Sequence, residues 1–241
     1  MFPSRLLVST IVASGLLLSA CSGINANSLP PGSGDAGENP GIEANASGSV
    51  VDALGSLPVK GRAPKTGYDR DLFGYAWKDI DKNGCDTRND MLIRDLVERQ
   101  MDGDCTVMSG VLYPDPYTGE EIVFVRGKSL VDIDHVVSLG NAWVTGAAKW
   151  SKGERELFAN DPLNLLAVEA SANRQKSDGD AATWLPSNKS FRCDFVALQV
   201  AAKVKYGLWV TKAERKAMLG VLSSCPGQEL PSAGGVPLSM L

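Results

Sequence analysis

The chain has 241 residues, a formal net charge of −4 and a pI near 5.1. That acidic balance argues against a protein that coats nucleic acid through bulk positive charge. A single histidine, and cysteines with no C-x-x-C spacing, argue against a structural zinc site.

The first 20 residues read as an export signal. Arg5 precedes an apolar run over 6–18 that is too short to span a bilayer. The run closes on Leu18-Ser19-Ala20-Cys21, which resembles the lipobox of bacterial lipoproteins. Cys21 is then expected to carry the lipid. The protein would be exported and would touch the membrane through this N-terminal anchor only. A plain signal peptide with a chance cysteine is the simpler alternative. Residues 21–57 are rich in Gly, Ser, Asn, Pro and Ala and lack aromatics, the composition of a flexible tether. One folded domain is expected over 58–227, with a loose tail over 228–241 and a monomeric state.

Within the domain, residues 89–100 place Leu92, Ile93, Leu96 and Val97 at helical spacing. Residues 105–113 read as a strand, 114–119 as a turn and 121–126 as a returning strand, so a hairpin is expected. Residues 131–137 (VDIDHVV) form a further β-branched strand and contain the only histidine, His135. From Leu139 the spacing turns helical, with Trp143 and Trp150 on one stripe that reads as core. Ser151 and Glu154 fit a capping box that opens a short helix to residue 159. Residues 164–168 read as a strand, 170–176 as a helix start and 188–206 as a longer helix. Thr211 and Glu214 form a second capping box, opening the last helix towards Cys225. The fold class is α+β.

Beyond Cys21 four cysteines remain, an even number suited to disulfides in an exported chain. Three pairings exist. Cys85–Cys105 and Cys193–Cys225 are favoured, because each closes a modest loop within one half of the domain; each bridge should contribute about 3 kcal/mol. Residues 189–216 hold seven basic residues opposed only by Asp194 and Glu214. They are either the solvated face of a helix pair or a surface that meets phosphate.

His135 alone says little. Asp134 precedes it directly, Asn164 sits in NDPLNL and Asn173 opens NRQKSD. The ordered blocks DIDHVVSLGNAW, GAAKW, FANDPLNLLAVEASANRQKSD and WLP are followed by Cys193 and a K-x-x-Y-G-L stretch. Together they resemble the HNH (ββα-metal) nucleases. The block from about 60 to 225 is similar to exported bacterial HNH endonuclease-family proteins related to the C-terminal domain of the GmrSD restriction enzymes.

The resemblance implies a ββα-metal core with an N-terminal helix, a β-hairpin and C-terminal helices, stapled by two disulfides. It makes His135 the general base, Asp134 a metal ligand, and Asn164 the residue that pins the loop and orients the histidine. Asn173 falls where many members carry a ligand histidine. Oxygen donors there suit Mg²⁺, or Mn²⁺, better than Zn²⁺. Lys176, counted with the catalytic group, and Arg174 would grip flanking phosphates. The implied substrate is nucleic acid, DNA ahead of RNA, cut to leave 5′-phosphates.

The chemistry asks for the same parts. A phosphodiester is already anionic, so cleavage needs an activated water, charge neutralisation and help for the leaving oxygen. An imidazole can take the water's proton near neutral pH. One geometric objection stands, because neighbouring strand residues face opposite ways. Asp134 and His135 share a site only if the strand bends or ends there, while Asp132 shares a face with Asp134. Two other readings survive: a non-catalytic surface lipoprotein using an HNH-like fold for binding, and a hydrolase of a cell-wall phosphodiester.

Overall fold

Six helix starts have a visible local cause, a side chain that caps the first turn. In the computed structural model, which describes residues 49–231 apart from Ser129, side chains of Ser49, Asp86, Ser138, Ser151, Glu169 and Thr211 accept the orphan N–H groups of six helices. These helices are α1 (Val50–Ser56), α2 (Thr87–Asp95), α3 (Leu139–Val144), α4 (Lys152–Ala159), α5 (Ala170–Lys176) and α7 (Lys212–Leu222). Both expected capping boxes are formed. The expected signal, Cys21, most of the tether and most of the tail lie outside the described residues.

The architecture mixes small antiparallel sheets with helices. β1 (Val97–Asp102), β2 (Thr106–Leu112) and β3 (Ile122–Val125) form one sheet in that order. The expected hairpin is its β2–β3 pair, Leu112 facing Ile122. β4 (Val131–His135) and β5 (Leu165–Glu169) form a second, two-stranded sheet. Its register is regular, pairing Asp132 with Val168, Asp134 with Leu166 and His135 with Leu165. α5 follows β5 with no intervening residue, and α6 (Arg192–Lys205) runs through the middle of the molecule. Phe195 and Leu198 of α6 pack with the sheets, Val196 and Val200 with α1 and α7, and Ala202 with Trp143 and Phe158. A helix that is apolar on nearly every side belongs in an interior.

Three expectations need correction. The helix expected over 89–100 ends at Asp95, and the chain continues as β1. Asp95 is buried: its carboxylate takes the Ala167 N–H at 2.8 Å and pairs with Arg94, which donates to the carbonyls of Pro162 and Leu165. That anchorage on β5 stops the helix, which apolar spacing alone would prolong. The strand expected over 131–137 ends at His135. The tether expected to residue 57 gives way to α1, because Val50 and Leu54 are fully buried against α6 and α7.

The basic stretch 189–216 is partly neutralised inside the fold. Lys203 is buried with Glu214 at 3.1 Å, and Lys205 pairs with Asp161 at 2.7 Å. Lys203 is thus a structural cation and not part of a phosphate-facing surface.

Both expected disulfides are present, closing sequence separations of 20 and 32. Removing the second with Cys193→Ala and Cys225→Ala should lower the unfolding free energy by about 3 to 4 kcal/mol in urea titration. A loss below about 1 kcal/mol would mean that packing alone holds α6 and α7 together.

Candidate active site around His135

The two faces of β4 hold different chemistry. On one face Asp132 and Asp134 meet α5. On the other, His135 meets the end of α4 and Trp77. Two residues on a strand advance about 6.6 Å and three on a helix about 4.5 Å, so side chains i, i+2 of a strand can match i, i+3 of a helix. Here Asn173 donates to Asp132 at 3.1 Å, and Lys176 places its ammonium 3.1 Å and 2.9 Å from the two oxygens of Asp134.

Asp134 is buried and fully committed. Besides Lys176 it accepts the hydroxyl of Tyr117, which is itself fully buried and packs edge-on against Trp184 and Phe195. Burial raises the Asp134 carboxyl above its usual range, opposed by the Lys176 charge and the Tyr117 hydrogen bond. Burial, reinforced by Asp134, raises the Tyr117 phenol well above its usual value. Lys176 also donates to the His135 carbonyl at 2.9 Å, so one ammonium ties two consecutive residues of β4 to α5.

The His135 ring donates from Nε2 to the Ala159 carbonyl at 2.8 Å, which fixes its tautomer. No hydrogen bond reaches Nδ1 among the described residues. Trp77 stacks on the ring with centroids 6.2 Å apart and planes inclined by 17°. The side chain is only 6% exposed, and burial lowers its pKa to about 3 even though the α4 carbonyl favours the charged form.

Asn164 holds the turn that follows the strand. Its Oδ1 accepts the Val137 N–H at 2.8 Å, its Nδ2 donates to the Val137 carbonyl at 3.2 Å, and its own carbonyl takes the Val136 N–H at 2.8 Å. Gln199 adds a hydrogen bond to the Val136 carbonyl at 3.1 Å.

The structure thus regroups the expected site. Asp134 and His135 lie on opposite faces of a regular strand. Asp134 meets Lys176, and Asn173 meets Asp132. Lys176 is buried and does not point to a flanking phosphate, whereas Arg174 is exposed on α5. Among the described residues, no three His, Cys, Asp or Glu side chains converge as a metal cage. Asp134 does not fit as a ligand while an ammonium covers both of its oxygens. Asp132 and Asn173 do fit a hard, largely hydrated ion, which needs only one or two protein oxygens.

Sequence reasoning missed Tyr117, Gln199, Trp77 and Arg88. Tyr117 sits in a turn by composition, and Gln199 is one polar residue in an apolar helix. Arg88, on the first turn of α2, lies 5.9 Å from the Trp77 ring and in the field of Asp132. None of the four carries a local signal, because each is brought in by tertiary packing.

The comparisons with known proteins cover this region. Residues 86–221 match the family described as GmrSD restriction endonucleases, C-terminal domain. The chain is also 39% identical, over 174 residues, to an "Uncharacterized secreted protein" of Arthroderma benhamiae (strain ATCC MYA-4681 / CBS 112371). That alignment covers 71% of this chain and 82% of the other. No solved structure matches.

Two stability measurements probe the geometry. Lys176→Met leaves a buried carboxylate without its counter-charge and should cost about 3 to 5 kcal/mol in urea denaturation. Combining it with Asp134→Leu should recover much of that loss; equal losses in the single and double variants would show that the pair is not coupled.

The second concerns His135. The unfolded chain takes up a proton at this ring below about pH 6.5, while the folded ring stays neutral down to about pH 3. Its contribution is present at neutral pH and is lost as pH falls through that window. The stability of wild type relative to His135→Gln should therefore fall by up to about 1.4 kcal/mol per pH unit between pH 6 and pH 4. A flat difference would place the ring in contact with bulk water.

Proposed function

Because the chain belongs to the GmrSD restriction endonuclease C-terminal domain family, we propose that it is an exported, lipid-anchored endonuclease of the HNH (ββα-metal) type. Its substrate would be the phosphodiester bonds of nucleic acid, DNA in first place. The observation that carries this reading is His135: its Nε2–H is fixed on the Ala159 carbonyl, its Nδ1 has no hydrogen-bond partner among the described residues, and it lies on the strand that carries Asp132. The β4–β5 pair running into α5 supports the ββα arrangement. The relative described as secreted supports export, and among the described residues no helix is long and apolar enough to cross a membrane. Lipid attachment at Cys21 rests on the sequence.

In this mechanism Nδ1 of His135 takes the proton of the attacking water. Burial makes it a weak base in the free protein, and the negative charge of a phosphate beside it would strengthen it. Asn164 keeps the turn after the strand in place, and so keeps the ring aimed. Asp132 and Asn173 would hold a divalent ion, Mg²⁺ first and Mn²⁺ or Zn²⁺ as substitutes, on the α5 face of β4, where it would supply charge neutralisation for phosphate. Arg174, exposed on α5, would meet a flanking phosphate. Lys176 fixes the frame by holding Asp134 and the His135 carbonyl, and does not touch substrate.

A non-catalytic binding lipoprotein has one observation on its side: an ammonium lies on Asp134, where the resemblance puts the metal. A plasmid assay separates the two. The exported chain should nick or degrade plasmid DNA with Mg²⁺ or Mn²⁺ and stop in EDTA. His135→Ala should slow cleavage by about a hundredfold or more, with an unchanged circular dichroism spectrum. Equal behaviour of wild type and variant across metals and across DNA and RNA would overturn the nuclease reading.

A further inference from the structure

The guanidinium of Arg88 is half-buried, yet it makes no hydrogen bond or ion pair among the described residues. Its contacts are the Trp77 ring, 5.9 Å from the guanidinium carbon, and the opposed fields of Asp132 and Arg126. Arg126 lies on the same side. Its Nε donates to the Val107 carbonyl at 2.7 Å and its terminal nitrogen to Asn89 Oδ1, so it too has no carboxylate partner. The two carboxylates whose fields reach Arg88 are already engaged, Asp132 by Asn173 and Asp86 by the Asn89 backbone and side-chain amides. Donors that no protein group takes are open to an external oxyanion. The planar fork of an arginine matches an oxyanion bidentately. The indole beside it is the one that stacks on His135.

We infer that Arg88, with Trp77 at its side, is an oxyanion site that takes a phosphate of the nucleic-acid strand whose neighbouring phosphate is attacked at His135. The inference rests on the nuclease reading and deepens it. A phosphate seated there relieves the repulsion between the two arginines and fills the unused donors. It also sets the strand against the indole. The site is sequence-independent by construction, since it reads backbone charge and no base edge.

The test measures binding without cleavage. The exported chain is titrated against a fluorescent DNA oligonucleotide in EDTA by anisotropy, across a salt series. Arg88→Ala should bind about tenfold more weakly and lose about one unit from the slope of log affinity against log salt. Arg88→Lys keeps the charge and loses the fork, so it should keep the wild-type slope at several-fold lower affinity. Wild type that does not bind the oligonucleotide would overturn the site. So would Arg88→Ala binding within twofold of wild type at the same slope. Should Arg88→Ala fail to fold, wild-type affinity in Arg88→Lys would overturn it instead. Because no cleavage is needed, the outcome is separable from the function assay. If His135→Ala cuts as wild type does while Arg88→Ala loses the strand, the role given to His135 fails and the oxyanion site stands.

Discussion

A carboxylate and an ammonium that both lie out of water set the terms for this site. Asp134 and Lys176 would each be strongly disfavoured inside the protein alone, and together with the Tyr117 hydroxyl they satisfy one another. The same ammonium holds the His135 carbonyl. α5 therefore cannot drift from β4 without exposing a charge to an apolar interior. Pairs of this kind contribute little net stability over a well-packed apolar substitute, and what they contribute is a single allowed arrangement.

The consequence is a site divided by a strand. Carboxylates and amide face α5 on one side. The imidazole faces the α4 terminus and Trp77 on the other. β4 pairs only with β5, so its second edge carries no partner strand among the described residues. Trp77 and Arg88 reach both chemistries, Trp77 by stacking on His135 and Arg88 by its proximity to Asp132. The site is thus assembled from segments far apart in the chain, of which the 131–137 and 164–176 blocks are only two.

What the sequence showed depended on whether a residue's role is local. Capping boxes, the hairpin and the span 170–176 follow from neighbours within a turn or two, and they are read directly. The α2–β1 switch is not, because Leu96 and Val97 continue a helical pattern that only the burial of Asp95 on β5 interrupts. α1 hid in a stretch whose composition is that of a linker, since two buried residues, Val50 and Leu54, suffice to dock it. At the site, His135, Asn164 and Asn173 stood out through their blocks. Of the partners of Asp134, Tyr117 did not, and Lys176 did so in another role, as a grip on phosphate. A lysine in the last turn of a helix reads as a solvated cation, and only the depth of the interior beneath β4 makes Lys176 an interior one. The same holds for Lys203 against Glu214.

The junction between β5 and α5 carries a further implication. The strand ends at Glu169 and the helix begins at Ala170, with the Glu169 carboxylate capping the Ser171 and Ala172 N–H groups. Asp132 and Asp134 find Asn173 and Lys176 only because that junction has no slack. Adding one residue would rotate the helix by about 100°, breaking both pairings and the cap at once. The site therefore behaves like a vernier, in which two scales of different pitch coincide at one setting. Length variation is therefore barred from position 169.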